Sequence, residues 1–177
     1  MIRKVTITFF LVLSLGILSV GEIMAKMSPA PTPTPVPMPA ISYETVNPDN
    51  GTQYILKRLK EKIALFFAFS SDQKFKQLKK ETDVRMAELK YIIDNKQMGF
   101  FEKATQRYFT TAGKLTDLAV SNKISGKYQE LKEDLGKHIL LLNALRDTYH
   151  PTTAEWRFVE DDVNYVKQDI ERLNTAP

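Results

Sequence analysis

The sequence predicts an all-α fold: a bundle of about five helices that ends in an antiparallel helix pair and follows an apolar segment and a proline-rich linker. Beyond Ser42, apolar residues return every three or four positions, and no alternating run typical of a strand occurs. The chain has 177 residues, 43% of them hydrophobic and 26% charged, with only 7 glycines. This composition suits one modest globular domain with accessory segments.

The N-terminal segment, residues 1–25, is predicted to be a signal peptide or an N-terminal anchor. Arg3 and Lys4 precede an uncharged, mostly aliphatic run from Val5 to Val20, which is typical of a secretory signal. The run is roughly 24 Å long as a helix, short of a hydrocarbon core of about 30 Å, which favours cleavage after Ala25 over retention as an anchor. We therefore expect an extracytoplasmic protein, secreted or tethered to the outer face of the cytoplasmic membrane, that meets the membrane only through this segment.

A proline-rich linker is predicted over residues 26–46. Six of the nine prolines fall in residues 29–40, PAPTPTPVPMPA, at every second position. Proline fixes its own φ and pushes the preceding residue to extended geometry, so the segment favours polyproline II. At about 3.1 Å per residue, it would act as a stiff spacer roughly 35–40 Å long.

The helical domain is predicted over residues 47–176, and its first helix follows the turn-forming stretch that ends at Gly51. This helix is strongly amphipathic. The residues predicted to form its apolar, core-facing side are Ile55, Leu56, Leu59, Ile63, Phe66 and Phe67. The opposite, solvent-facing side is predicted to hold Lys57, Arg58, Lys60, Glu61 and Lys62. An exposed partner-binding or membrane-touching patch at Phe66, Phe67 and Phe69 stays open as the alternative.

Two further helices are predicted from Ser70 to Ser121. Ser70, Ser71 and Asp72 can cap the second helix, which is expected to stop near Asn95. Its apolar positions are Phe75, Leu78, Met86, Leu89, Ile92 and Ile93. The third helix follows Gly99, and its apolar positions are Phe100, Phe101, Ala104, Tyr108, Leu115, Leu118 and Ala119.

The last two helices are predicted to pair antiparallel, since only a tight turn around Pro151 separates them. The fourth carries an apolar stripe of Tyr128, Leu131, Leu135, Ile139, Leu142, Leu145 and Tyr149. The fifth is expected to start at Thr152 in a capping box with Glu155. Its apolar residues follow a four-three spacing that is typical of a coiled coil: Trp156, Val159, Val163, Val166, Ile170 and Leu173.

A search for catalytic or metal-binding residues yields little. The absence of cysteine excludes disulfides, thiolate metal sites and cysteine nucleophiles. The pairs Asp134–His138 and Asp147–His150 each offer two metal ligands, fewer than a zinc site needs, so we interpret them as solvated helix residues. We also interpret Glu160, Asp161 and Asp162 as a solvated face. The sequence therefore predicts no metal, no cofactor and no enzyme activity.

Charge is unevenly distributed although the net charge is only +4. Residues 57–80 carry a surplus of six positive charges, and residues 155–171 a surplus of four negative ones. We interpret both as solvated faces that attract one another modestly within the bundle. Alternatively, the basic residues form a contact surface for an anionic polymer or lipid headgroups: Lys57, Arg58, Lys60, Lys62, Lys74, Lys76, Lys79 and Lys80. No base-reading motif accompanies them, so sequence-specific nucleic-acid binding is not expected.

Two stretches carry a family resemblance: YILKRLKEKIALFFAF at Tyr54–Phe69 and VRMAELKYII at Val84–Ile93. Through them, the segment from Asn47 to Ile93 resembles an uncharacterised bacterial family, domain of unknown function 5667. The matching positions are Asn47, Pro48, Asp49, Tyr54, Leu56, Lys57, Arg58, Lys60, Glu61, Lys62, Arg85, Glu88 and Leu89. The resemblance implies a secreted or membrane-tethered helical domain, and it implies no catalytic residue.

These observations predict a non-catalytic interaction or structural module of the cell envelope, displayed on the proline-rich spacer. Its partner would be an envelope protein or an anionic polymer. Two alternatives stay open: a membrane-tethered regulatory or sensor ectodomain, and a polyanion or membrane-surface binder that uses the first two helices. Only four residues precede the apolar run, which disfavours direct signalling by this chain.

Overall fold

The computed structural model describes residues 47–48 and 51–177, and this part of the chain is helical without strands. The five helices are α1 (Gly51–Phe66), α2 (Ser71–Asp94), α3 (Phe101–Ser121), α4 (Tyr128–Arg146) and α5 (Ala154–Thr175). Short 3-10 turns, Met98–Phe100 and Ser125–Lys127, precede α3 and α4. The predicted all-α, five-helix fold is confirmed. The signal or anchor segment, the cleavage site after Ala25 and the linker lie outside the described residues.

Side-chain caps define where α2 and α5 begin. The Ser70 Oγ accepts a hydrogen bond of 3.1 Å from the Gln73 amide, and Gln73 Oε1 accepts one from the Ser70 amide, which forms a capping box. At α5 the predicted cap was wrong by one residue: Thr153 Oγ1 accepts the hydrogen bond from the Trp156 amide. The Thr152 hydroxyl lies instead 2.9 Å from Nδ1 of His150.

Helices α2 to α5 form a four-helix bundle in which α3 packs against α2 and α5, and α4 packs mainly against α5. The predicted antiparallel pairing of α4 and α5 is confirmed, because Arg146 at the end of α4 bonds Glu160 near the start of α5, whereas Lys132 near the start of α4 bonds Asn174. Helices α2 and α4 run parallel, as do α3 and α5. The contacts that set these two registers are Lys79–Glu130 and Asp83–His138 for α2–α4, and Phe101–Phe158, Phe109–Tyr165 and Asp117–Arg172 for α3–α5.

The core lies between α2, α3, α4 and α5, and it uses the apolar positions predicted for these helices. Those that are at most 1% exposed are Phe75, Leu89, Ile92, Ala104, Tyr108, Leu115, Ala119, Leu131, Leu135, Leu142, Val159, Val163 and Val166. Leu142 and Leu140 illustrate how sharply the register of α4 is set, since Leu142 is 0% and Leu140 58% exposed. Helix α1 contributes only the partly buried Leu65 to this core.

The interpretation of His138 as a solvated residue was wrong, because His138 lies in a polar cluster inside the bundle. Its Nδ1 lies 3.1 Å from the buried Tyr108 hydroxyl, and its Nε2 lies 3.2 Å from Asp83 Oδ1. Burial raises the pKa of Tyr108 well above its ordinary value, with a further contribution from the charge of Asp162. Asp147 and His150 lie exposed, as expected.

The interpretation of Asp162 as part of a solvated face was also wrong, since its residue is 1% exposed. Position 162 lies three residues after Val159 and four before Val166, so it shares their core-facing side. Its Oδ2 has no hydrogen-bond partner among the described residues. Burial raises the pKa of Asp162 to about 9, with a smaller contribution from Asp161.

Candidate binding surface on the first helix

Helix α1 lies on the bundle with its polar side inward. The side chains that face α2 and α3 include Tyr54, Lys57, Arg58 and Glu61, whereas no residue within α1 is fully buried. The apolar and polar sides were sorted correctly from the sequence, but the prediction that the apolar side is buried was wrong. The reason lies on α2, where Arg85 and Glu88 are each 1% exposed and need charged partners.

An ion-pair network joins α1 to α2. Arg85 donates to Glu88 at 2.5 Å and to Glu61, and Lys57 donates to the same Glu88 oxygen. Arg58 donates to Glu61 at 3.2 Å. Arg85 and Glu88 pair with each other in the interior, and α1 adds Glu61 as a second partner of Arg85 and Lys57 as a second partner of Glu88, which fixes which side of α1 faces the bundle.

The surroundings of this network change three pKa values. Burial lowers the pKa of Arg85, but the charges of Glu88 and Glu61 outweigh burial and raise it overall. Burial lowers the pKa of Lys57 in spite of its pairing with Glu88. The pKa of Tyr54 is raised to about 12 by burial and by the charge of Glu88. Tyr54 also accepts a hydrogen bond of 2.8 Å from Arg107, which ties α1 to α3.

The opposite side of α1 and the turn after it present a large exposed apolar surface. Its side chains are between 46% and 82% exposed, and we call them the outer apolar surface: Ile55, Leu56, Leu59, Ile63, Phe66, Phe67 and Phe69. The three phenylalanine rings contact one another edge to face, with centroids 5.3 Å and 6.2 Å apart. The alternative that Phe66, Phe67 and Phe69 are exposed therefore agrees with the structure. The exposed apolar surface also extends beyond them along the whole of α1. A continuous surface of this kind is typical of an interaction site.

The eight basic residues singled out in the sequence are not equivalent. Lys57 and Arg58 belong to the network, Lys76 pairs with Asp72 at 2.9 Å, and Lys79 pairs with Glu130 and Asp134 on α4. Lys60, Lys62, Lys74 and Lys80 are exposed and have no ion pair among the described residues. The basic side chains of α1 and α2 pair with acids of α1, α2 and α4, so the expected attraction to α5 does not take the form of ion pairs within the described part.

A basic cleft between α1 and α3 was missed in the sequence. Its cations are Arg58, Lys103, Arg107 and Lys114, and its volume is about 270 Å³. Gln106, Thr110 and Thr111 complete its lining, without an acidic side chain. The signal for it was present, since residues 103, 107, 110 and 114 share one side of a helix, but only the placement of α1 brings Arg58 to them.

A groove of about 560 Å³ lies on the other side of α1, against α2. Its lining carries Lys57, Lys60 and Lys80 together with the acids Glu61 and Glu81. The charges of these acids largely offset those of the lysines, in contrast to the basic cleft, whose lining has no acid.

None of the five described helices combines the length and apolar character that a bilayer crossing requires. Among the described side chains, no three histidines or carboxylates are grouped in a way that could hold a metal ion.

Comparison with known families identifies the family of this chain. Residues 46–151 match the family described as Domain of unknown function (DUF5667), which is more than half of the chain. The chain belongs to the DUF5667 family. The resemblance noted over Asn47–Ile93 is thereby confirmed, and the match continues through α3 and α4. No curated protein and no solved structure matches the chain.

Five of the thirteen positions on which the DUF5667 resemblance was based have a common role in this chain. Lys57, Arg58 and Glu61 in the first stretch and Arg85 and Glu88 in the second form the ion-pair network. They position α1 and thereby expose the outer apolar surface.

Proposed function

We propose that this protein is a non-catalytic interaction module of the cell envelope, displayed beyond the cytoplasmic membrane on its proline-rich spacer, and that it binds its partner through the outer apolar surface. The observation that carries the proposal is the exposure of seven large apolar side chains on one side of α1 and its following turn. Monomeric proteins rarely leave so large an apolar surface in contact with water.

The way in which α1 is held supports this proposal. A helix whose apolar side has no partner would normally rotate until that side packs against the bundle. Such burial stabilises the fold by about 25 cal/mol for each Å² of apolar surface removed from water. Here rotation would take Lys57 and Glu61 away from the buried Arg85–Glu88 pair, which would then have only each other as charged partners. The network therefore keeps the outer apolar surface available for a partner.

Photocrosslinking in living cells tests the proposal. A photoreactive amino acid replaces Leu59 on the outer apolar surface or, as a matched control, the isolated exposed Leu140 on α4. We expect crosslinked products from position 59, to a protein or to lipid as identified by mass spectrometry, and none from position 140. Position 59 giving no product, or the same products as position 140, would refute binding through this surface.

The cellular location is tested separately. Fractionation of the cells, followed by mass spectrometry of the N-terminus, should recover the protein outside the cytoplasm. A mature chain that starts at Lys26 indicates cleavage of the signal, and an intact Met1 indicates an anchor. A protein recovered in the cytoplasm with an intact Met1 would contradict an envelope role.

A further inference from the structure

We infer that the partner of the outer apolar surface is an anionic lipid bilayer, on which α1 lies parallel to the surface with phosphate-bearing headgroups in the basic cleft. This inference rests on the proposed function, because it names the occupant of the same surface. Three features support it: the shape of the outer apolar surface, the lysines at its edges, and the basic cleft beside it.

The outer apolar surface has the form of an interfacial helix. Ile55, Leu59, Ile63 and Phe66 follow the spacing of one helix face, so they can enter the boundary between headgroups and acyl chains together. Helix α1 has 16 residues, a length of roughly 24 Å. Phenylalanine is common on the apolar face of interfacial helices, and the three phenylalanines at the end of α1 are exposed to reach this boundary.

Lysines border the apolar surface on both sides. Lys60 lies at the edge toward α2 and Lys62 at the edge toward α3. Lys80 extends the first edge and Lys74 the second. Long lysine side chains at such edges can keep their ammonium groups at headgroup level while the apolar surface enters the bilayer.

The basic cleft continues the second edge. Lys114 lines both the cleft and the groove that reaches Phe66, so the cleft adjoins the end of the outer apolar surface at Phe66. Its volume of about 270 Å³ exceeds that of a phosphate group, and it has four cations and two threonine side chains to bind one. An anionic headgroup in the cleft would have its acyl chains directed along the outer apolar surface.

A second copy of the chain fits this surface less well. Two outer apolar surfaces packed against each other would leave the exposed Lys60, Lys62, Lys74 and Lys80 and the basic cleft without added acidic partners, since the outer apolar surface itself carries none. A bilayer that contains anionic lipid offers an apolar interior to the outer apolar surface and negative charge to the lysines and the basic cleft.

Because the sequence contains no cysteine, a single introduced cysteine can be labelled at one chosen position. The full chain, with either Leu59→Cys or Leu140→Cys, is labelled with a polarity-sensitive fluorophore. It is then mixed with vesicles of phosphatidylcholine alone or with about a third phosphatidylglycerol. Both variants keep the same N-terminal segment, so its own affinity for lipid is common to all arms. Ile63→Cys provides a second label position on the outer apolar surface.

We expect the fluorophore at position 59 or 63 to enter an apolar environment in the anionic vesicles and to be quenched by a lipid-borne quencher. The fluorophore at position 140 should remain in water. Each cation near an anionic surface contributes about fivefold to binding, so Lys103→Gln with Lys114→Gln should lower the insertion constant of α1 by roughly thirtyfold. The matched control, Arg157→Gln with Lys167→Gln on α5, removes the same charge and should leave insertion unchanged.

Three results would overturn the inference. The label at position 59 could stay in water, it could insert equally well in neutral vesicles, or the cleft variant could behave like its control. Shielding of position 59 without vesicles, together with dimer formation in sedimentation, would assign the surface to a second copy instead. If crosslinking in cells still yields a protein partner at position 59, the proposed function stands and only the lipid inference fails.

Discussion

Asp162 is buried in the core and keeps its proton at neutral pH. Its pKa is about 9 in the folded protein, compared with about 3.9 in an unfolded chain. Between these two values the folded state binds one proton more than the unfolded state does. The contribution of Asp162 to stability is therefore fully present below pH 4 and is lost as the pH rises toward 9.

Replacing Asp162 by Asn should remove this pH dependence. Above pH 6, the wild-type protein should lose up to about 1.4 kcal/mol of unfolding free energy per pH unit through this residue. Asp162→Asn should be more stable than the wild type at pH 8, and the difference should shrink by up to about 1.4 kcal/mol for each pH unit below that, since Asn requires no proton uptake on folding. Urea denaturation at a series of pH values from 6 to 8.5 measures both effects.

The neighbouring exposed Asp161 supplies the control for this measurement. Asp161→Asn should keep most of the pH dependence, because burial is the main cause of the raised Asp162 pKa. Equal pH dependence in wild type and Asp162→Asn would show that Asp162 is not the residue responsible. The range starts at pH 6 because the pKa of Asp169, raised to about 6 mainly by burial, adds a similar effect below it.

Single buried polar residues were only partly predictable from the sequence. The spacing of Val159, Val163 and Val166 already places Asp162 on the core-facing side, so its burial could have been read from periodicity. The polar cluster of Asp83, Tyr108 and His138 could not be predicted in this way. It depends on the parallel arrangement of α2 and α4 and on the position of Tyr108 of α3 next to His138. Local spacing carries no information on such distant contacts.

Helix α1 is attached mainly by charged and hydrogen-bonded contacts, whereas the other helices are attached by apolar packing. Amphipathicity alone showed that α1 has two different sides, but it did not show which side faces the bundle. The decisive signal was on α2, where Arg85 and Glu88 sit three residues apart among core positions such as Leu89 and Met86. The apolar stripes of α2 to α5 were predictable because there the burial of apolar surface decides the orientation.

Glu61 should be the residue on which the attachment of α1 depends most, since it pairs with Arg85, Arg58 and Lys57. Glu61→Ala should increase the hydrogen-exchange rate of α1 amides by about tenfold or more, because local opening of α1 becomes easier. The amides of α3 to α5 should exchange as in the wild type. Hydrogen exchange read by mass spectrometry measures both regions in one experiment.

Glu133→Ala on α4 is the matched control, because Glu133 is exposed and bonds only the nearby Gln129 on its own helix. It should leave the exchange of α1 unchanged. If Glu61→Ala did not accelerate exchange in α1, or accelerated it equally throughout the bundle, the ion-pair network would not be what holds α1 in place.

At the scale of the whole molecule, the described chain combines a four-helix bundle, which supplies the core, with a first helix that the bundle holds apolar side out. The all-α fold, the number of helices and the antiparallel final pair were predictable from periodicity and turn signals. The basic cleft was not, since its residues come from α1 and from α3, more than forty positions apart in the sequence. The orientation of α1 therefore decides which of its two sides a partner can contact.

The most direct test of that orientation is the reactivity of single cysteines toward a charged, water-soluble maleimide in the full chain without lipid. Leu59→Cys and Ile63→Cys should react within about tenfold of the rate in the unfolded chain, because local structure barely shields an exposed side chain. Leu142→Cys, in the core of α4, should react at least about a thousandfold more slowly, because it requires unfolding. Protection of positions 59 and 63 to the same degree as position 142 would show that the apolar side of α1 is buried and would contradict the account.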